Sequence, residues 1–159
     1  MTARVYVETS VVSYLTSRPS KNVVIAAHQQ LTRRWWRSRD QYRVVISQAV
    51  LDEAAGGDPT ERARRLRRLR GLPVLPLTDD ATKLAGELVR RGALPQNAMV
   101  DALHIAIAAT HDVEFLLTWN CKHMANAAMR GTIESICRAA DRQPPVICTP
   151  EELFPRTFL

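Results

Sequence analysis

The chain has 159 residues, 46% of them hydrophobic, and a formal net charge of +6 at pH 7. Its length predicts a single domain over 1–159, and its hydrophobic content excludes a disordered chain. No apolar run reaches the roughly 20 residues that a membrane-spanning helix needs, and no secretory signal is recognisable, so we expect a cytoplasmic protein without membrane contact. The three cysteines form no CxxC pair and fit a reducing compartment, and Cys121 with His123 lacks the second half of a zinc site.

The predicted elements alternate between strand and helix from the N-terminus onward. In order, the first half is predicted to contain a strand at 4–7, a short helix capped by Thr9 or Ser10, a helix at 22–37, a strand at 43–47 and a helix that ends at Gly56-Gly57. Trp35 and Trp36 are neighbours on the long helix. We therefore expect only one of them to face the core and the other to lie at a rim or a subunit contact.

The second half continues this alternation. An arginine-rich helix begins at Asp58-Pro59 and ends at Gly71, and Pro76 in the next strand, 74–77, predicts an edge position in the sheet. The remaining elements are a helix from Thr78 or Asp79 to about Arg91, a helix that begins at Pro95, a strand at 114–118, helices across 125–139 and a strand at 146–148. Strands that alternate with helices predict an α/β fold in which helices flank a short parallel β-sheet.

Three carboxylates stand on apolar elements that are far apart in sequence. Glu8 ends the first strand, Glu53 follows the second, and Asp101 lies in an otherwise apolar helix. Each acid alone could face water, as most carboxylates do. Asp101, for example, shares a polar stripe of its helix with Asn97 and His104. A buried carboxylate is costly unless it meets donors or a cation, and ligands of open α/β sheets bind beyond the strand ends. Together the three acids predict one pocket that holds a divalent metal ion.

The positive charge is concentrated in two arginine clusters, 33–39 and 61–70. A solvated helix face is one interpretation of each cluster. Arginine also pairs with phosphate oxygens, and a basic surface beside an acidic pocket is typical of a protein that places a polyanion over bound metal. On this second interpretation, Arg64, Arg65 and Arg68 are expected to contact the phosphates of the polyanion.

The order of these features resembles the PIN domain, the nuclease fold of VapC-type toxins from bacterial toxin–antitoxin pairs. The segments that carry the resemblance are Glu8-Thr9-Ser10-Val11-Val12-Ser13-Tyr14-Leu15, Asp101-Ala102-Leu103 and Thr118-Trp119-Asn120-Cys121-Lys122-His123. The resemblance extends from Val5 to about Pro150. It implies a three-layer fold, RNA as the substrate, and a cognate antitoxin protein as a candidate partner.

The resemblance also implies a role for particular residues. Glu8, Glu53 and Asp101 match the family's metal-binding acids, and Asn120 stands where many members have a fourth catalytic acid. The expected ion is Mg²⁺ or Mn²⁺, because hard cations prefer oxygen ligands. The chain departs from the family pattern twice, since Glu8 is one methylene longer than the usual aspartate and Asn120 is neutral.

Further residues are expected to support this site. Ser10 and Thr118 match small polar residues that hydrogen-bond within the family's pocket. His104 lies one helical turn from Asp101, where it could shape the site or simply be a hydrogen-bonded core residue.

We predict a metal-dependent endoribonuclease of the PIN/VapC type. The alternative is a catalytically weakened PIN-fold module that binds RNA or a protein partner, an interpretation that the two departures favour. A phosphohydrolase with a phospho-aspartate ranks far lower, because the first strand ends in glutamate. Toxin-like PIN domains commonly pair, so we also predict a homodimer whose apolar interface draws on surface side chains: Trp35, Trp36, Leu66 and Leu69.

Overall fold

The computed structural model describes residues 2–154. Within this range five strands and seven helices alternate, as predicted. Their bounds are β1 Arg4–Val7, α1 Thr9–Thr16, α2 Val23–Arg37, β2 Arg43–Ser47, α3 Gln48–Ala54, α4 Pro59–Leu69, β3 Val74–Leu75, α5 Asp79–Arg90, α6 Met99–Thr110, β4 Phe115–Leu117, α7 Ala127–Ala139 and β5 Val146–Cys148. Short 3₁₀ turns, Arg39–Gln41 and Gln96–Ala98, precede β2 and α6.

The five strands form one parallel sheet in the order β3-β2-β1-β4-β5. The α/β prediction is therefore confirmed, and β3 lies at the edge as predicted, although it ends at Leu75 and Pro76 follows it. Chain order runs outward from β1 in one direction through β2 and β3, and in the other through β4 and β5. The strand order thus reverses between β1 and β4, and the crevice beyond their carboxyl ends is where such sheets bind ligands.

Strand β1 is central and its last three residues, Val5, Tyr6 and Val7, are fully buried. Val7 pairs with Leu117 of β4, so the residues that follow the two strands lie side by side. The backbone N–H of Glu8 extends this pairing by donating to the Leu117 carbonyl at 3.0 Å. The sheet register thereby brings Glu8 next to Thr118, which follows β4.

Helix α6 is buried on most of its circumference, as its apolar sequence predicted, and packs against α5. Its first turn contains Asp101, and His104 one turn later is buried. Among the described residues no helix is both long and apolar enough to cross a bilayer.

The prediction for the two tryptophans was wrong, because both are buried. Trp35 is 0% and Trp36 is 5% exposed. After α2 the chain turns back through the 3₁₀ turn and covers both rings. Tyr42 stacks on Trp35 with the ring centroids 5.8 Å apart, and the Arg39 guanidinium lies 4.5 Å from the centroid of Trp36.

The interface residues named for a homodimer are consequently not surface side chains. Leu69 is buried like the two tryptophans, and Leu66 is partly buried and packs against the core. The error arose because the arginine-rich helix turns its leucines inward and its arginines outward. Within residues 2–154 the large apolar side chains that are exposed instead are Val23, Val24, Ile25, Val74, Leu77, Met99, Val100 and Val146. The homodimer itself stays a prediction.

Candidate metal site and its hydrogen-bond network

Glu8 lies at the carboxyl end of β1 and is only 5% exposed. Its Oε2 accepts a hydrogen bond from the backbone N–H of Ser10 at 2.7 Å, which makes Glu8 the N-cap of α1. The predicted cap, Thr9 or Ser10, was wrong because the helix already begins at Thr9. Oε1 accepts from the hydroxyls of Ser10 at 2.7 Å and Thr118 at 2.6 Å. These three donors offset the cost of burying the charge.

The two hydroxyls that donate to Glu8 are themselves held by backbone groups. Ser10 Oγ accepts from the N–H of Trp119 at 2.8 Å, and Thr118 Oγ1 accepts from the N–H of Asn120 at 2.9 Å. Each hydroxyl proton is therefore directed to the carboxylate. The structure brings Ser10 and Thr118 to Glu8, where the resemblance placed them.

Glu53 lies in the last turn of α3, and its side chain is 38% exposed. Its Oε1 accepts from the Thr9 hydroxyl at 2.7 Å and lies 2.6 Å from His104 Nε2. Burial would raise the pKa of the Glu53 carboxyl, but the hydrogen bonds from His104 and Thr9 outweigh it and bring the pKa below the ordinary value of a glutamate. The group is therefore a carboxylate at neutral pH.

His104 connects Glu53 to the core of the sheet. Its ring is fully buried, and Nδ1 lies 2.6 Å from the hydroxyl of Tyr6 in β1. That hydroxyl also lies 2.6 Å from the Ser47 hydroxyl at the end of β2. Burial raises the pKa of the Tyr6 phenol far above its usual range, so the phenol stays protonated.

Glu8, Glu53 and His104 form one compact group. Each can present a ligand atom so that all three atoms lie within 4.8 Å of one another. Within residues 2–154 neither carboxylate forms an ion pair with a lysine or an arginine. Two carboxylates thus meet without a lysine or arginine between them, and carboxylate oxygens are ligands that suit a hard divalent cation.

Asp101 and Asn120 both contact His123 and are not members of that compact group. Asp101 is partly buried, and its Oδ2 lies 3.0 Å from Nδ1 of His123. Asn120 Oδ1 accepts from the backbone N–H of the same histidine at 3.0 Å. The tight cluster therefore contains His104 in addition to two of the three predicted acids, and the third acid is tied to His123.

Several side chains of this network were not among the predicted site residues: Tyr6, Thr9, Ser47 and His123. Ser47 ends β2 much as Glu8 follows β1, so its place at a strand end was an available signal. Tyr6 had none, because a tyrosine inside a buried strand is indistinguishable from core until the neighbouring strand and helix are placed.

The three arginines assigned to RNA divide into two kinds. Arg64 and Arg68 are exposed on α4 and, with Arg67, line a cavity of about 380 Å³ beside Thr16 at the end of α1. Arg65 instead donates from Nε to the carbonyl of Ala54 at 3.0 Å and from Nη2 to that of Gly56 at 2.6 Å. It therefore ties α4 to the end of α3.

Comparison with solved structures shows which known proteins have a similar fold. Among solved structures, VapC20 of Mycobacterium tuberculosis, a toxin that cleaves the sarcin–ricin loop, is 21% identical with a TM-score of 0.59, over 77% of this chain and 95% of that one. VapBC2 of Rickettsia felis, bound to a DNA fragment from its promoter, is 15% identical with a TM-score of 0.60, over 92% and 98% of the two chains. At these identities both show the fold alone, and curated proteins gave no significant match.

Comparison with family models, in contrast, establishes the family of the chain. The model of the PIN domain family matches residues 5–120, well over half of the chain, and this range contains every carboxylate of the network above. The chain therefore belongs to the PIN domain family and shares the fold of the VapC toxins.

Proposed function

We propose that the protein is a metal-dependent endoribonuclease of the PIN/VapC type that cleaves RNA phosphodiester bonds. The observation that carries the proposal is the meeting of Glu8 and Glu53 beyond the carboxyl end of the central strand, with no lysine or arginine of the described residues paired to either. The family match and the RNA-cleaving neighbour VapC20 support the same activity.

The residues proposed to hold Mg²⁺ or Mn²⁺ are Glu8, Glu53 and Asp101, with Asn120 at the rim. Such an ion, when bound, supplies positive charge that stabilises the phosphate under attack and makes water more acidic. Thr9 and His104 hold Glu53 in place by hydrogen bonds to Oε1.

The proposed RNA contact is the cavity lined by Arg64, Arg67 and Arg68. It lies at the opposite end of α1 from Glu8, and a helix of that length spans about 10 Å at 1.5 Å per residue. Three guanidinium groups can hold the phosphates that flank the bond at the acidic site. The protein is further proposed to act in the cytoplasm, to form a homodimer and to be held by a cognate antitoxin.

A catalytically weakened binding module is the second candidate, and one observation favours it. Three hydrogen bonds already satisfy Glu8 without any ion, and Asn120 contributes no charge. This candidate predicts RNA or partner binding that is indifferent to Asp101.

Cleavage of a mixed RNA pool distinguishes the two candidates. Wild type is expected to cleave with Mg²⁺ or Mn²⁺ and to stop when the ion is chelated, and Asp101→Asn should be inactive but folded. The matched control is Asp141→Asn, because Asp141 is exposed and has a φ of 58° that asparagine tolerates. A wild type that is inert with both ions and binds no Mn²⁺ in calorimetry contradicts the nuclease. Equal activity in Asp101→Asn identifies a contaminant.

A further inference from the structure

We infer that Tyr6 and Ser47 are positioning residues for the acidic site, through one chain of hydrogen bonds that fixes the tautomer of His104 and reserves its Nε2 proton for Glu53. The inference rests on the proposed role of Glu53 as a metal ligand. It adds two side chains of the sheet interior that do not themselves face an ion.

The chain of hydrogen bonds crosses four elements of the fold. It begins at Ser47, the last residue of β2, passes through Tyr6 of β1 and His104 of α6, and ends at Glu53 of α3. Its three contacts are each 2.6 Å: Ser47 Oγ to Tyr6 Oη, Tyr6 Oη to His104 Nδ1, and His104 Nε2 to Glu53 Oε1. Ser47, Tyr6 and His104 are all fully buried, so water does not compete for these groups.

The number of available protons determines the direction of donation along this chain of hydrogen bonds. The Glu53 carboxylate can only accept, so His104 Nε2 must donate to it. The neutral ring then has a bare Nδ1, which accepts the single proton of the Tyr6 hydroxyl. The Tyr6 oxygen in turn accepts from Ser47, whose own oxygen receives the backbone N–H of Val50 at 3.4 Å. The tautomer of a histidine is set by the partner of its other nitrogen, and here that partner is Tyr6.

The opposite direction of donation is unfavourable. It would place a second ring proton on Nδ1 of His104, so that the Tyr6 oxygen would have to accept from the ring. The Tyr6 proton would then pass to Ser47, and the Ser47 proton would need another acceptor.

One of the two carboxylate oxygens of Glu53 is therefore already engaged in hydrogen bonds. Oε1 accepts from both His104 and Thr9. No donor among residues 2–154 reaches Oε2 within hydrogen-bond distance. The site therefore presents Glu53 as a ligand through a single oxygen with a fixed orientation, which suits the octahedral Mg²⁺ or Mn²⁺ better than larger ions that take bidentate carboxylates.

The first test is a nitrogen NMR spectrum of the metal-free wild type labelled with ¹⁵N-histidine. The expected result is one neutral His104 ring with its proton on Nε2 and an Nδ1 signal shifted by an accepted hydrogen bond. A proton on Nδ1, or on both nitrogens, overturns the inference. This measurement requires neither metal nor RNA, so it decides the hydrogen-bond chain even if the nuclease proposal fails.

The second test compares variants by the same spectrum and by Mn²⁺ binding in calorimetry. Tyr6→Phe keeps the ring and removes only the hydroxyl, so the Nδ1 signal should move and Mn²⁺ affinity should fall by roughly 10-fold, the lower end of what supporting residues contribute. Ser47→Ala should act in the same direction and serves if Tyr6→Phe does not fold. Tyr42→Phe is the matched control, because Tyr42 precedes the amino end of β2, away from the site.

Substitution of His104 separates positioning from packing. His104→Gln retains an amide N–H where Nε2 was and should restore much of the Mn²⁺ affinity that His104→Leu loses. Equal affinity in these two variants overturns the inference. So does a Tyr6→Phe variant whose Nδ1 signal moves while its Mn²⁺ affinity is unchanged. If the wild type binds no Mn²⁺, the proposed metal site is contradicted. The wild-type spectrum then tests only the chain of hydrogen bonds from Ser47 to Glu53.

Discussion

The carboxylate of Asp101 lies 3.0 Å from Nδ1 of His123, although the two residues are 22 positions apart in sequence. Asp101 belongs to the first turn of α6 and His123 to the turn that follows β4, so the contact joins two elements at the carboxyl edge of the sheet. The His123 backbone is held in turn by Asn120 at 3.0 Å. His123 therefore engages both of the predicted catalytic residues that lie outside the compact acidic group, Asp101 and Asn120.

Loss of His123 should leave Asp101 poorly oriented. We expect His123→Ala to lower RNA cleavage and Mn²⁺ affinity together by about 10–100-fold, the range typical of residues that hold a metal ligand. The control is Lys122→Ala, an exposed neighbour in the same turn. Unchanged Mn²⁺ affinity in the histidine variant would mean that Asp101 does not depend on this contact.

Glu8→Gln should destabilise the fold as well as the site. An amide has one oxygen to accept with, whereas the Glu8 carboxylate accepts from three donors on two oxygens. The amide nitrogen would face at least one donor, so we expect the free energy of unfolding to fall by about 1–3 kcal/mol. Urea denaturation measures this change, with Glu134→Gln on the surface of α7 as the control. Equal stability of the two variants would show that the cap is dispensable.

The lowered pKa of Glu53 predicts how stability depends on pH. Because the folded pKa lies below the ordinary value of a glutamate, this group contributes stability above that ordinary value and loses it as the pH falls through the folded pKa. The partners that face the group are His104 and Thr9. We expect Glu53→Gln to flatten the acid side of the stability profile of the metal-free protein. A profile that is as steep in the variant as in wild type would assign the acid sensitivity to other carboxyls.

Replacing Arg64, Arg67 and Arg68 by Gln should weaken RNA binding without altering Mn²⁺ affinity. Each phosphate contact with a single strand contributes about 0.7 to the slope of log affinity against log salt, so the slope should flatten by about 2. Fluorescence anisotropy at several salt concentrations measures it. The control is a triple Gln variant of three exposed cations elsewhere: Lys83, Arg90 and Arg91.

Arg65, the remaining one of the three predicted arginines, supplies a second control for the RNA surface. Arg65→Gln should leave the salt slope nearly unchanged, because both ends of its guanidinium already bind backbone carbonyls of Ala54 and Gly56. It should instead lower stability by about 1–2 kcal/mol. The cavity proposal fails if the control triple flattens the slope as much as the α4 triple.

Much of this fold could be predicted from the sequence because the signals are local. The strands over 43–47 and 146–148 contain the β-branched runs 44–46 and 146–147, and the structure places both strands with the predicted bounds. Asp58 and Pro59 mark the start of α4 by cap chemistry alone. Such elements depend on neighbouring residues and require no knowledge of the tertiary structure.

The parts that could not be predicted depend on packing between distant elements. Trp35 and Trp36 are both buried because the chain folds back over them, which helical spacing does not encode. Tyr6 and His104 meet only when α6 is placed against β1. The acids were recognisable as polar residues on apolar elements, whereas their hydrogen-bonding partners resemble ordinary core residues.

The N-cap formed by Glu8 restricts how this site can be lost during evolution. Since the same carboxylate starts α1 and joins it to the residues after β4, a change at position 8 affects folding before it affects chemistry. Asp101, in contrast, does not cap helix α6. A descendant that abandons RNA cleavage is therefore expected to discard the acid on α6 first, and to keep an oxygen acceptor at position 8 long after the activity has disappeared.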